Sequence, residues 1–139
     1  TVDQLKQAKK LLSSFGLTRR GSFKLWMMVE IPSNVIMLQE FIDVGIDGVS
    51  IGSNDLTMLT LGVDRDGDKL THLSNDQNTS YRRMIKKAIN DYKKYNVKVG
   101  FCGQQPSDSI EFCKFLISND IDSLSVIPSS GINILKKLI

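Results

Sequence analysis

Three short apolar runs in this chain end in groups that a protein core does not accommodate well. Met27-Met28-Val29-Glu30-Ile31-Pro32 carries a carboxylate, Val49-Ser50-Ile51-Gly52-Ser53-Asn54-Asp55 a second carboxylate, and Val99-Gly100-Phe101-Cys102-Gly103-Gln104 a thiol. Such runs suit strands whose tips face a common crevice, which is where strand ends lie in parallel α/β folds. This feature limits the chain to an α/β class more sharply than any bulk property does.

The segments between the runs read as helices. Val2, Leu5, Ala8, Leu12 and Phe15 step at helical spacing, and Gly16 stops that helix. Lys24 to Val29 reads as a strand, and Pro32-Ser33 opens a helix that continues to about Val44. Gly48 to Ile51 is the next strand, followed by a helix start near Leu56 and a polar loop from Gly62 to Asn78. From Thr79 to Tyr95 the period is clearest: Tyr81, Met84, Ile85, Ala88, Ile89 and Tyr92 form one stripe, with Arg and Lys opposite. Val97 to Phe101 is a third strand. Ser107 or Asp108 is expected to cap a helix through about Ser118, with Glu111 completing a capping box with Asp108. Leu124 to Ile127 is a fourth strand, and a short helix ends at Ile139.

An internal echo supports repeated βα units. Ile46-Asp47-Gly48-Val49-Ser50-Ile51 matches Ile121-Asp122-Ser123-Leu124-Ser125-Val126 in residue type at each position. The strands are hydrophobic without alternation, as in a parallel sheet covered by helices. Four βα units make half of a (β/α)₈ barrel, and a whole barrel needs about 250 residues. A chain of 139 residues is therefore either a four-stranded open sheet or half of a barrel. In the second case the outer strands, near Lys24 and Leu124, leave unpaired edges, so self-association or cover from residues Thr1 to Leu17 is expected.

Composition narrows the function classes. The net charge of +3 is mild, and the basic residues lie on helical faces such as Lys86-Lys87 and Lys93-Lys94 without interleaved aromatics, so no nucleic-acid role is expected. No apolar run reaches about 18 residues, so no membrane span is expected. No signal peptide is visible at Thr1, and a chain without an initiating Met fits a piece cut from something longer. Two cysteines, Cys102 and Cys113, make no disulfide framework and fit a reducing, cytoplasmic setting.

Glu30 and Asp55 fall at neighbouring strand tips. Two converging carboxylates suit a hard divalent cation such as Mg²⁺, which takes one or two carboxylates, waters and substrate oxygens. They are equally suited to capping the helices after Pro32 and near Leu56, and the residues alone leave both readings open. Gly52, Ser53 and Asn54 allow backbone amides to approach an anion closely, or simply make a turn. Cys102, between Gly100 and Gly103, is either a proton carrier or a small buried hydrophobe. Gln104, Gln105 and Ser107 beside it favour the first, whereas Cys113 between Phe112 and Phe115 fits the second. Met27-Met28 and the aromatic stripe read as core.

Other motifs fail on spacing. Asp64-Arg65-Asp66-Gly67-Asp68 has the look of a Ca²⁺ loop, but the EF-hand register would need Gly at Lys69 and Glu at Asn75. His72 is the single histidine and lies in the polar loop, where a surface or loop-bracing role is expected over a catalytic one. One His and two Cys cannot assemble a zinc site from the usual ligands. The glycines match neither a P-loop nor a dinucleotide-binding pattern.

Taken in order, Val29-Glu30-Ile31-Pro32, Gly52-Ser53-Asn54-Asp55-Leu56-Thr57 and Phe101-Cys102-Gly103-Gln104 resemble the C-terminal, phosphoenolpyruvate-binding domain of the PEP-utilising enzymes. The likeness runs from about Leu25 to Pro128. Leu59-Thr60-Leu61-Gly62-Val63-Asp64-Arg65-Asp66, His72-Leu73 and Gly103-Gln104-Gln105-Pro106-Ser107-Asp108 are most similar to the phosphoenolpyruvate synthase branch. The dikinase and enzyme I branches usually carry Glu where this chain has Gln104; one small departure is Gln105, where synthases often have Gly.

The resemblance implies that residues 1–139 supply the C-terminal half, about four βα units, of a (β/α)₈ TIM barrel. It implies Mg²⁺ held by Glu30 and Asp55, substrate bound by Glu30, Gly52, Ser53, Asn54 and Asp55, and proton transfer by Cys102. The implied reaction makes phosphoenolpyruvate from pyruvate and a phosphohistidine, with ATP consumed in the full enzyme. The implied partners are pyruvate or phosphoenolpyruvate, the ATP-binding and phosphohistidine domains that this chain lacks, and a second copy in a homodimer. The family's substrate-binding arginines lie on earlier strands, and Arg19, Arg20, Arg65, Arg82 and Arg83 are poorly placed to replace them. The isolated chain is therefore expected to be inactive. A non-catalytic half-barrel used for dimerisation, and a dikinase-like or metal-dependent lyase barrel, are the alternatives.

Overall fold

The computed structural model describes residues 1–63 and 78–138. Helix α1 (Val2–Ser14) leads to strand β1 (Trp26–Val29), the short helices α2 (Pro32–Ile36) and α3 (Leu38–Asp43), and β2 (Gly48–Gly52). Helix α4 (Ser53–Leu61) follows directly. Then come α5 (Thr79–Lys94), β3 (Lys98–Cys102), α6 (Gln105–Asp108), α7 (Ile110–Ser118), β4 (Ser123–Leu124) and α8 (Pro128–Leu138). The strands form one four-stranded sheet in the order β1-β2-β3-β4, with every pair parallel. This is the α/β, repeated-βα architecture the sequence predicts, with β1 and β4 at the edges. Residues 64–77 of the polar loop, with the Asp64–Asp68 motif, Arg65 and His72, lie outside the described residues.

Register fixes the two faces of the sheet. Val29 pairs with Ile51, Ile51 with Phe101, and Phe101 with Leu124. Val29, Val49, Ile51, Val99 and Phe101 all point to the covered side and are at most 1% exposed. The helical stripe Tyr81, Ile85, Ala88, Ile89 and Tyr92 packs onto them and is fully buried, together with Phe112 and Leu116 of α7. Burial of this many large apolar side chains, each worth about 1.5–3 kcal/mol, makes this interface the main source of cohesion.

The opposite face is not covered in the same way. Trp26 is 45% exposed, Met28 41%, and Cys102 is also exposed. The expectation of strands buried on both faces is therefore corrected, and with it the assignment of Met28 to the core; Met27 does pack against the core. On β1 the run looks uniformly apolar because its bare-face residues are Trp26 and Met28, whereas Ser50, Lys98 and Ser123 stand on the same face of the other strands. On this face Trp26 lies flat on Gly48, where a methyl group would meet its ring at 2.4 Å.

Several local expectations are also corrected. The helix from Pro32 to Val44 is broken at Met37 (φ −101°, ψ 34°) into α2 and α3. In α1 the apolar stripe is only partly used: Ala8 is exposed and Phe15, just beyond the helix, is 76% exposed, while Leu5 reaches the core. Residues 105–108 form a separate turn of helix, so Ser109, not Ser107 or Asp108, caps α7, its Oγ accepting from the Phe112 N–H at 3.2 Å. The strand ends also shift by one to three residues, because pairing with a neighbour sets them: β1 starts at Trp26, β3 at Lys98, and β4 spans only Ser123–Leu124, short of the expected Ile127.

The internal echo is a structural repeat. Asp47 precedes β2 and accepts the Leu25 N–H at 2.8 Å; Asp122 precedes β4 and accepts the Val99 N–H at 2.8 Å. Each carboxylate thus extends the ladder at the entry end of its strand. Arg19 (2.9 Å) and Lys24 pair with Asp47, and Lys98 (2.9 Å) and Lys93 with Asp122. Burial alone would raise both carboxyls, but the backbone amide and the cations together hold each below the usual carboxylate value. A depressed carboxyl contributes stability that is fully present above its unfolded value, about 3.9, and is lost as pH falls through its folded value. Asp47→Ala and Asp122→Ala should each cost about 1–2 kcal/mol at pH 7, as the loss of a charged hydrogen bond does. In urea melts that difference from the wild-type chain should shrink as the pH falls below about 4.

Candidate functional site

The exit ends of β1, β2 and β3 are in register. Gly52 pairs with Cys102, and Glu30, one residue beyond the Val29–Ile51 pair, falls on the same row. Glu30 lies across the bare Cα of Gly52: a methyl group there would sit 2.6 Å from Glu30 Cγ and 2.7 Å from its Oε1. The carboxylate therefore occupies the space that a side chain on β2 would fill. Ser125 extends the β3–β4 pairing towards the same level, its N–H donating to Phe101 O at 2.9 Å.

Asp55 stands in the first turn of α4, which begins at Ser53 immediately after β2. The N-cap is Gly52, and no side chain caps it. By contrast, Asn78 caps α5 through its side chain and Ser109 caps α7. The head of α4 thus keeps first-turn amides uncapped by any side chain, beside a strand tip. That is the arrangement in which a helix terminus can receive an anionic group. Neither carboxylate takes the capping role that the sequence left open. Ile31 precedes α2 without a side-chain cap. Asn34 Oδ1 instead accepts the Glu30 and Ile31 N–H groups at 3.2 and 3.3 Å.

Cys102 is exposed at the end of β3, while Cys113 is buried and its thiol donates to Pro106 O at 3.0 Å. Burial pushes the Cys113 thiol up, in keeping with a space-filling role. Gly103 follows Cys102 and lies against buried Ser53: a methyl group at residue 103 would stand 1.8 Å from Ser53 Oγ and 2.7 Å from Ser53 Cβ. The thiol-bearing turn and the head of α4 are therefore in direct contact. Asn54 is exposed there.

The sheet thus gathers Glu30, Gly52, Ser53, Asn54, Asp55 and Cys102 along one edge. Other polar neighbours of Cys102 serve the scaffold. Gln104 is exposed and its amide donates to Asp108 at 3.2 Å; Gln105 Oε1 accepts from the Tyr81 hydroxyl at 2.8 Å; Ser107 Oγ accepts from the Ile127 N–H at 2.9 Å. Among the described residues no group of three or more His, Cys, Asp or Glu side chains converges on a metal position. Glu30 and Asp55 are the carboxylates of this end of the sheet, and their chemistry is of the kind a hard cation such as Mg²⁺ takes together with water and ligand oxygens.

Two contributors were missed in the sequence. Asn34 is buried, holds the Glu30 turn through its side chain, and accepts the Tyr92 hydroxyl on its carbonyl at 2.7 Å. An Asn two residues after the Pro of a polar turn was the available signal. Tyr81 read only as a member of the apolar stripe, although a buried Tyr hydroxyl requires a partner. Burial pushes its phenol up to about 12, against opposing hydrogen bonds with Thr57, Gln105 and Ser53.

Comparison with known proteins shows the family. A family model described as the PEP-binding domain of PEP-utilising enzymes matches residues 1–139. The chain is 44% identical over 131 residues to a phosphoenolpyruvate synthase of Synechocystis sp., a match covering 94% of this chain and 16% of that protein. It is 42% identical over 131 residues to the phosphoenolpyruvate synthase of Escherichia coli, covering 94% and 16%, and 40% identical to that of Aquifex aeolicus, covering 94% and 15%. The chain spans about a sixth of the length of these relatives.

The close approach at Gly103 has a measurable consequence. Gly103→Ala should destabilise the chain by about 1–3 kcal/mol, because buried Ser53 cannot give way without moving the head of α4. Gly131→Ala in α8 meets only an ordinary contact, Val126 Cγ2 at 3.7 Å. It should be neutral or stabilising by up to about 1 kcal/mol, as Gly→Ala in a helix generally is. Urea unfolding of the two variants checks both signs.

Proposed function

The chain belongs to the PEP-utilising enzyme family, in its PEP-binding domain, and from that premise we propose that it supplies the carboxylate-and-thiol side of a pyruvate/phosphoenolpyruvate site in a longer phosphoenolpyruvate synthase. The observation that carries the reading is the single row Glu30–Gly52–Cys102, with Asp55 one helical turn beyond Gly52. A three-carbon oxyacid needs few groups: something for its paired oxygens, something for its carboxylate, and a proton carrier at its terminal carbon. That row holds a candidate for each.

Glu30 and Asp55 would hold Mg²⁺. When bound, the cation would supply neutralisation of the negative charge that builds on the substrate oxygen as pyruvate enolises. The residues divide the remaining work. Asn54 and the amides at the head of α4 orient the substrate carboxylate, using the partial positive charge of the helix start. Gly52 keeps β2 free of a side chain, so that Glu30 stays level with Cys102. Cys102 takes the proton from the methyl carbon of pyruvate as thiolate and carries it as thiol. The enolate oxygen then attacks the phosphorus of a phosphohistidine from another domain, the P–N bond breaks, and phosphoenolpyruvate forms. In the reverse direction the thiol returns the proton to the methylene carbon.

Two further features belong to this reading. The bare face bearing Trp26 and Met28, and the free edges of β1 and β4, suit closure by more βα units of the longer protein into a (β/α)₈ barrel. ATP use and the phosphohistidine belong to the parts of the relatives that this chain does not span. We propose a homodimer for the longer enzyme on family grounds.

Titration calorimetry with oxalate, a planar mimic of the pyruvate enolate, tests the site. Oxalate should bind this chain in Mg²⁺ and not in its absence. Asp55→Asn and Glu30→Gln should each weaken binding about tenfold or more, since even outer-shell changes cost that much in metal sites. Oxalate binding that ignores both Mg²⁺ and these substitutions, or no binding at all, would contradict a metal-binding half-site preformed in this chain.

A further inference from the structure

Tyr81 lies on α5, and its ring is fully buried. Its hydroxyl donates to Gln105 Oε1 at 2.8 Å, three residues beyond Cys102, and the Ser53 and Thr57 side chains are polar neighbours that oppose the rise in its pKa. Ser53 is the first residue of α4, two before Asp55, and Thr57 Oγ1 donates to the Ser53 carbonyl at 2.6 Å. One phenolic oxygen is therefore bonded to the turn after β3 and neighbours the head of α4, which itself packs on Gly103. The ring continues the connection: it stacks parallel to Phe112 at 6.4 Å, and Phe112 meets Phe101 edge-on at 5.2 Å. Phe101 is the residue before Cys102.

The hydroxyl is costly to bury. A Phe would fill the same space and need no partner, whereas a buried hydroxyl must be satisfied. Here the polar groups around it lie on two different turns, each 24 or more residues away from it in sequence. Gly103 packs on Ser53 at the same junction, so a shift of either turn is passed to the other. We propose that Tyr81 is a positioning residue that locks the carboxylate-bearing turn at the head of α4 to the thiol-bearing turn after β3. It acts through Ser53 and Gln105 and does not touch the reacting atoms. Its role in catalysis rests on the function proposed above, but its mechanical role does not.

Tyr81→Phe tests this on the full chain, with Cys102 alkylation by iodoacetamide followed across pH and no metal or ligand present. Mass spectrometry reads Cys113 separately, and its protection reports an intact core. The expected result is a change of about threefold or more in the Cys102 rate, or a displaced pH midpoint, with Cys113 still protected; that is the scale of one lost hydrogen bond. An unchanged rate and midpoint at Cys102 with Cys113 protected would overturn the proposal. If Cys113 becomes reactive, Gln105→Ala removes the hydroxyl's partner from the turn without altering the aromatic packing, and the same two readings decide. A thiol response without Mg²⁺-dependent oxalate binding in the wild-type chain would sink the ligand reading and leave the positioning role standing. Oxalate binding without a thiol response would do the reverse.

Discussion

Side chains in this molecule repeatedly lie flat on glycine. Trp26 crosses Gly48, Glu30 crosses Gly52, Ser123 lies against Gly100, and Ser53 lies against Gly103. In each place a methyl group would stand closer than 3 Å to its neighbour. Parallel register brings the first three pairs together, because it sets residues of adjacent strands level and on the same face, and Ser53 and Gly103 directly follow the paired Gly52 and Cys102. A side chain on β2 at residue 52 would displace Glu30, and one at residue 103 would displace the head of α4. The position of the carboxylate and the contact between the two turns therefore depend on missing Cβ atoms, and the rest of the site follows from them.

The two ends of the sheet use similar chemistry in opposite ways. At the entry end, Asp47 and Asp122 each accept a backbone amide and pair with cations, so their charge is consumed in holding strands together. At the exit end, Asn34 satisfies the backbone of the Glu30 turn, and no side chain caps α4. Glu30 and Asp55 are thus relieved of structural duty. A buried layer beneath them, made of Tyr92 under Asn34 and Tyr81 under Ser53 and Gln105, supports the tips with hydroxyls. Polar groups face outward where chemistry is proposed and inward where rigidity is required.

Much of this was readable in the sequence, and the part that was not has a physical cause. The α5 stripe was clear because a sixteen-residue helix repeats its period several times. The strand tips were clear because apolar runs ended in carboxylates and a thiol, and the Asp47/Asp122 echo marked a true repeat. The break at Met37 carries no Gly or Pro to announce it. The choice of Ser109 as cap depended on a separate turn at Gln105–Asp108. The bare face was hidden on β1 because Trp26 and Met28 are apolar; Ser50, Lys98 and Ser123 on the same face were the polar signal that could have revealed it. The Tyr81 junction joins residues 24 positions apart and no local pattern reveals it. The family likeness added what residues alone left open, a reason to prefer cation binding over capping at Glu30 and Asp55.

The central claim is that a divalent cation is received at the tips of β1 and β2, beside the thiol of β3. Paramagnetic broadening in a ¹⁵N-labelled sample of this chain, titrated with Mn²⁺ in place of Mg²⁺, tests it most directly. The account predicts that the amides of Glu30 and Ile31, Gly52 to Asp55, and Cys102 and Gly103 broaden first and together. Broadening that begins at surface carboxylates such as Asp3, Asp91 or Asp120, with those tips untouched, would contradict it.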